Sequence, residues 1–131
     1  MSKLYVPNEI LRVFKSLYPE VDVQQVEWSW EVPGKIYEAE FSLGDQEFEV
    51  EITVTGHHLL TETTIKYALP QAVRDTVSEF YPDHAIESST LVAYSNGDLC
   101  YELDLVCAAK GSEFEVLVRE DGLFLMEGVD L

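Results

Sequence analysis

Residues Gln46 to Val54 read QEFEVEITV. Phe48, Val50, Ile52 and Val54 alternate with Glu47, Glu49 and Glu51. A period of two is the signature of a strand with one apolar face and one face turned outward. The string EFEV, Glu47 to Val50, recurs letter for letter at Glu113 to Val116. That recurrence prompts a search for a repeat in the rest of the chain.

The repeat extends in both directions. Val6 to Pro19, VPNEILRVFKSLYP, aligns with Leu69 to Pro82, LPQAVRDTVSEFYP. Pro7 matches Pro70, and Tyr18-Pro19 matches Tyr81-Pro82. Ile10, Phe14 and Leu17 match Val73, Val77 and Phe80, a spacing that forms one stripe of a helix. Proline suits the first helical position, where its missing N–H has no partner. The second proline ends the helix by forcing the preceding tyrosine out of the helical region. Further on, YEAEF (Tyr37 to Phe41) matches YELDL (Tyr101 to Leu105). Thr55-Gly56 matches Asp121-Gly122, opening the short strands HHLLTET (His57 to Thr63) and LFLMEGV (Leu123 to Val129).

The expected fold is α+β. One domain over residues 1–131 is built of two tandem helix-plus-antiparallel-sheet repeats, about 6–62 and 69–127. These form one continuous sheet with helices on one face. The first strand of each repeat is placed near VQQVEWSW (Val23 to Trp30) and SSTLVAY (Ser88 to Tyr94). Turns fall at Pro33-Gly34, Gly44-Asp45, Asn96-Gly97 and Lys110-Gly111. One repeat alone would be marginal in size, and joining two enlarges the core.

Parity then sorts the side chains. Tyr37, Ala39, Phe41, Phe48, Val50 and Ile52 face the first helix, and Tyr101, Leu103, Leu105, Phe114, Val116 and Val118 the second. The other face receives nine carboxylates: Glu38, Glu40, Glu47, Glu49, Glu51, Glu102, Asp104, Glu113 and Glu115. Same-strand neighbours about 7 Å apart repel by about 0.6 kcal/mol in water. A fold tolerates that cost, yet Thr, Ser or Lys would be cheaper outward residues. Arg119 alone offers a positive partner in these four strands. The nine acids are read as a partner-binding surface, against the alternative of a solvated face.

The whole chain is acidic. Eight Lys and Arg against 25 Asp and Glu give 8 − 25 = −17. This argues against binding nucleic acid or anionic membranes. It favours a basic protein or peptide as partner. No stretch approaches a membrane span, so no membrane insertion is expected. The start, MSKLYVPNEI, lacks a signal-peptide core, so a cytoplasmic location is expected, or export if a leader was removed.

The chemistry of an enzyme is not found. Cys100 and Cys107 lie an odd number of residues apart on one strand, pointing to opposite faces as small hydrophobes rather than a disulfide. His57 and His58 belong to a turn or strand, and His84 to a solvated loop. Trp28 and Trp30 share a face with Val26, for which core packing is expected and partner anchoring is the alternative. Calcium wants six to eight oxygens from a folded loop, D-x-D-x-D-G spacing is absent, and strands offer at most two carboxylates per ion. No metal site, cofactor or catalytic residue is assigned.

The tandem P-x-x-(apolar)-x-x-x-(apolar)-x-x-(apolar)-Y-P unit, with Y-E-x-(acidic) and F-E-V, resembles the PepSY-like proteins. These are grouped with the β-lactamase-inhibitor-protein fold. The resemblance spans roughly Val6 to Glu127. It implies two repeats in one continuous sheet and a non-enzymatic binding or inhibitory role, usually in exported bacterial proteins. No inhibitory residue can be carried over. The first reading is an inhibitor-like protein that offers an acidic open sheet face to a basic partner. The alternative is a cytoplasmic immunity or antitoxin protein that neutralises a basic toxin.

Overall fold

The structure, a computed structural model, describes residues 4–128. Its contacts group the chain into two compact units, Met1–Thr63 and Thr64–Leu131. The first carries helix α1 (Asn8–Leu17), a 3-10 turn (Val23–Gln25) and strands β1 (Glu27–Val32), β2 (Ile36–Leu43), β3 (Gln46–Thr53) and β4 (His58–Thr64). The second carries α2 (Gln71–Phe80), β5 (Ala85–Tyr94), β6 (Leu99–Cys107), β7 (Ser112–Arg119) and β8 (Phe124–Gly128). The architecture is α+β, and within each unit successive strands pair antiparallel. The final residue of the predicted strand LFLMEGV, Val129, and the first three residues of MSKLYVPNEI lie outside the described residues. No helix among the described residues is long and apolar enough to cross a membrane.

Both helices start and stop where the prolines dictate, with one shift. Pro7 and Pro70 are N-caps in extended conformation, one position before the expected first helical residue. The Pro7 carbonyl still accepts from Ile10 N (3.0 Å) and Leu11 N (3.1 Å). At the other end Tyr18 and Tyr81 leave the helical region, and each donates its N–H back, to Phe14 O (2.9 Å) and Val77 O (2.7 Å).

The core of the first unit gathers Ile10 and Phe14 from α1 with Tyr37, Ala39, Phe41, Val50 and Ile52 from the strands. Phe14 meets Phe41 edge-on at 5.3 Å and Trp28 at 5.6 Å. Trp28 and Trp30 pack against this cluster, Trp30 stacking on Tyr37 at 4.4 Å. In the second unit Val73 and Val77 join Tyr101, Leu103, Leu105, Val116 and Val118. Cys107 is buried, as is Cys100, and both are free thiols.

Four expectations are corrected. Leu17 and Phe80, the third members of the helix stripes, are 37% and 56% exposed. Tyr18 and Tyr81 take the inward positions instead, because leaving the helix swings their rings under it. Tyr18 packs on Phe41 (4.8 Å), and Tyr81 on Phe114 (5.2 Å). Val54 lies beyond β3 and is exposed, since the chain is already turning there, with Gly56 N donating to the Thr53 carbonyl (2.9 Å). Residues Val23–Gln25 form a 3-10 turn rather than strand, because the Asp22 carboxylate accepts from Gln24 N (3.0 Å). His84 is half-buried against Tyr81 and Phe114, with its Nδ1 buried and unpartnered, rather than solvated.

One glycine fastens the helix of the second unit to its sheet. Gly122 has φ +92°, and a Cβ there would stand 2.8 Å from the Ala72 carbonyl oxygen. Thr76 Oγ1, on α2, donates to the Gly122 carbonyl (2.5 Å). The helix thus lies directly on the backbone of the β7–β8 turn.

Candidate functional site

Strand register assembles the acidic face of the first unit. Glu27 on β1 stands opposite Glu40 on β2, Glu40 opposite Glu49 on β3, and Glu49 opposite Glu62 on β4. One row of four glutamates therefore crosses four strands. The adjacent row runs Ser29, Glu38, Glu51, Leu60, and Glu47 stands opposite Ser42. Inward-facing partners of the same strands, Ala39 opposite Val50 and Phe41 opposite Phe48, belong to the core or pack on it. The amphipathic alternation of each strand is what holds these carboxylates on one side.

Directly opposed residues in an antiparallel pair have Cβ atoms about 4.5–5.5 Å apart. No Lys or Arg occurs in β1 to β4. The carboxyls respond by holding protons. Glu38 is pushed up to about 8 from its ordinary value of 4.5, first by burial and then by a side-chain hydrogen bond with Glu31 and the charges of Glu49, Glu31 and Glu40. Glu51 rises to about 7 through burial and the charges of Glu31 and Glu49. Glu62 also rises to about 7, through burial, a side-chain hydrogen bond with Glu49 and repulsion from Glu49, Glu51 and Glu31. Glu40 rises through burial and through Glu49, Glu27 and Glu47.

The second unit arranges its four predicted acids differently. Asp104 stands opposite Glu115 and accepts a hydrogen bond from the Ser88 hydroxyl. Glu102 lies between Thr90 and Leu117, and Glu113 opposite Val106. Only Asp104 and Glu115 are direct neighbours. Arg119, the expected positive partner, is engaged by Asp121 in the adjoining turn (2.6 Å), and Asp121 is drawn down to about 2 by that guanidinium. Of the nine predicted residues, register joins Glu38 to Glu51, Glu40 to Glu49 and Asp104 to Glu115.

Three members of the first unit's face were missed by sequence reasoning: Glu27, Glu31 and Glu62. The signal was present in β1, where EWSWE alternates as cleanly as QEFEVEITV, so extending the parity rule there would have found Glu27 and Glu31. HLLTETT does not alternate, and only register places Glu62 on this face.

Glu38, Glu40 and Glu49 bring one carboxylate oxygen each within 4.8 Å of one another. This is one carboxylate more than the two expected of strands. Three oxygens fall short of the six to eight that calcium takes.

No family profile matches the sequence, and no curated protein matches it. Solved structures do match. A DUF2874 family protein from Bacteroides uniformis ATCC 8492 superposes with a TM-score of 0.81 at 17% identity, over 94% of this chain and 88% of the other. A BLIP-like protein from Bacteroides fragilis NCTC 9343 gives 0.72 at 23% identity, over 94% and 86%. The chain has a BLIP-like fold. A third match, from Bacteroides eggerthii DSM 20697 and provisionally assigned to the periplasm, gives 0.80 at 17% identity over 95% and 88%.

Proposed function

We propose that this protein is a non-enzymatic, inhibitor-like binding protein whose acidic sheet face receives a basic protein or peptide. The observation that carries this reading is the unbroken row Glu27, Glu40, Glu49, Glu62, laid across four strands that contain no Lys or Arg. A row of like charges kept on one face stores repulsion that a cationic partner relieves on contact. The BLIP-like fold supports the inhibitor class, and the repeated order of helix and four strands, with its PepSY-like motifs, supports a duplicated module. Of the nine residues assigned from sequence, Glu38, Glu40, Glu47, Glu49 and Glu51 form the centre of the proposed site. Glu102, Asp104, Glu113 and Glu115 are secondary to it. The periplasmic assignment of one structural neighbour supports an exported site of action over a cytoplasmic one.

The enzyme reading needs a raised carboxyl in a cleft beside a second reacting group. Here the raised carboxyls lie on a sheet face among their own kind, which supports docking. The test is a capture experiment with the immobilised protein and a variant carrying E27Q, E40Q, E49Q and E62Q. A basic partner retained at low salt by the wild type, released at high salt and ignored by the variant is the expected result. Equal retention by both would refute the acidic face as the contact.

A further inference from the structure

Strand β8 comes last in the strand order, and among the described residues it pairs with β7 alone. The other side of such a strand presents backbone N–H and C=O groups that can receive a further strand. Apolar side chains stand on both faces of β8. On the helix face Phe124 packs on the core and meets the exposed ring of Phe80, at the end of α2, at 5.4 Å. On the other face the exposed Met126 stands opposite Leu117, and next to it comes the exposed Leu125, the extra residue of a bulge. We propose that β8 is a docking edge for an extended segment of a partner, apolar at one end and rich in Lys or Arg at the other, which adds to the sheet as a further strand.

Edge strands are ordinarily blunted by charge, proline or a bulge. The edge strand of the first unit, β1, reads EWSWEV and carries Glu27 and Glu31 along its length. Strand β8 reads FLMEG, with no Lys or Pro and a single charge near its end. Each of the two edges contains one break in register, so charge sets them apart. Charge also selects the occupant. Glu127 is exposed and accepts a hydrogen bond from the Tyr81 hydroxyl, and Glu115 stands opposite Gly128. Arg119, just before the turn into β8, is engaged by Asp121. The apolar stretch of β8 therefore runs into two carboxylates. A second copy of this chain would bring its own Glu127 and a further net charge of −17 to the edge. A segment with the proposed pattern instead sets cations beside Glu127 and Glu115 and covers Phe80, Phe124, Leu125 and Met126. From the docking reading above this takes only the basic character of the partner, and it places the contact on a different part of the molecule.

The experiment uses the full chain and the peptide Val-Thr-Val-Thr-Lys-Lys-Lys, capped at both ends. Amide hydrogen exchange, followed by NMR at low salt, locates the contact. Saturating peptide should slow exchange within Phe124–Gly128 by about tenfold. F80S/L125S/M126S changes only exposed side chains and leaves the net charge alone. It should keep its melting profile and bind the peptide about tenfold more weakly. E27Q/E40Q/E49Q/E62Q should bind it within about twofold of the wild type. Binding that leaves β8 exchange unchanged, or that the serine variant retains in full, overturns the docking edge. Binding lost in the glutamine variant instead assigns the contact to the acidic face and overturns the edge alone. No binding of this peptide by the wild type also overturns the edge, while capture of a basic partner decides the acidic face separately. Self-association of the chain that the serine variant abolishes would make a second copy the occupant and overturn the proposal.

Discussion

Glu49 and Glu62 stand directly opposite each other on β3 and β4, and the charge of Glu49 is among the causes that raise the Glu62 carboxyl. The same register carries the row on through Glu40 to Glu27. The strands are bound by their backbones and by the apolar residues beneath, so the acids are held together by a fold that does not depend on them. Their repulsion is accommodated by proton uptake rather than by ion pairing. This has consequences for stability that can be measured without knowing any partner.

Stability should rise as pH falls from 8 to 5.5. Glu38, Glu51 and Glu62 hold protons in the folded chain up to about 8, 7 and 7, against 4.5 for an ordinary glutamate. The folded state thus binds more protons than the unfolded state across this window. The stabilisation is complete below about 4.5 and is lost as pH climbs through 7 to 8. These groups are partly open to water, which moderates the effect. Scanning calorimetry should find the melting temperature about 5 °C higher at pH 5.5 than at pH 8. E38Q/E51Q/E62Q should raise the value at pH 8 and flatten the dependence. A wild-type profile that is flat, or falls toward pH 5.5, would contradict the account.

Gly122→Ala should be far more damaging than Gly97→Ala, although both glycines have φ above +90°. At Gly97 a methyl group meets nothing within 4 Å, so only backbone strain is added, about 1 kcal/mol. At Gly122 it meets the Ala72 carbonyl at 2.8 Å and Thr76 Oγ1 at 3.1 Å. Helix α2 would have to shift, and the bond from Thr76 to the Gly122 carbonyl would be disturbed. A loss of about 2–3 kcal/mol in urea unfolding is expected. Equal losses at the two sites would show that strain alone matters.

Much of this fold was legible because its signals are local and doubled. Proline and tyrosine mark both helix ends, glycine marks the turns, and strict alternation in QEFEVEITV fixes the face of Glu47, Glu49 and Glu51. What remained hidden depends on geometry that spacing does not encode. The turn that begins after Thr53 put Val54 outside, and the Asp22 side chain replaced the start of β1 by a 3-10 turn. The candidate site was half legible. Parity found five of its acids and, extended to β1, finds Glu27 and Glu31, but cross-strand register was needed to place Glu62 with them. Register also showed that Glu102 and Glu113 stand beside apolar neighbours.

The exchange of inward positions at the helix ends gives a direct test. Phe14 is fully buried among Tyr18, Trp28 and Phe41, so Phe14→Ala should cost about 3–5 kcal/mol. Leu17, on the same sequence stripe, should cost less than about 1 kcal/mol when replaced by Ala. Tyr18→Ala should fall between them, since its ring packs on Phe41 and Phe48. Chemical denaturation of the three variants would reveal the order. Leu17→Ala as costly as Phe14→Ala would place the helix at a different rotation.

Glu49→Gln and Glu115→Gln should separate the two acidic patches. The sequence treats these positions as equivalents, two letters into identical EFEV strings. Glu49 sits between Glu40 and Glu62, and its charge raises Glu38, Glu40, Glu51 and Glu62. Glu115 has Asp104 on one side and Gly128 on the other. Removing one charge from the row also eases ionisation of its neighbours, so the comparison belongs at pH 8.5, where protons no longer mask the loss. At low salt, Glu49→Gln should weaken oligolysine binding by about three- to tenfold, and Glu115→Gln by less than about twofold. At high salt both differences should collapse, because screening removes the field that distinguishes them. If the two variants bind alike at low salt, the row across β1 to β4 has no privileged role, and total charge alone governs the attraction.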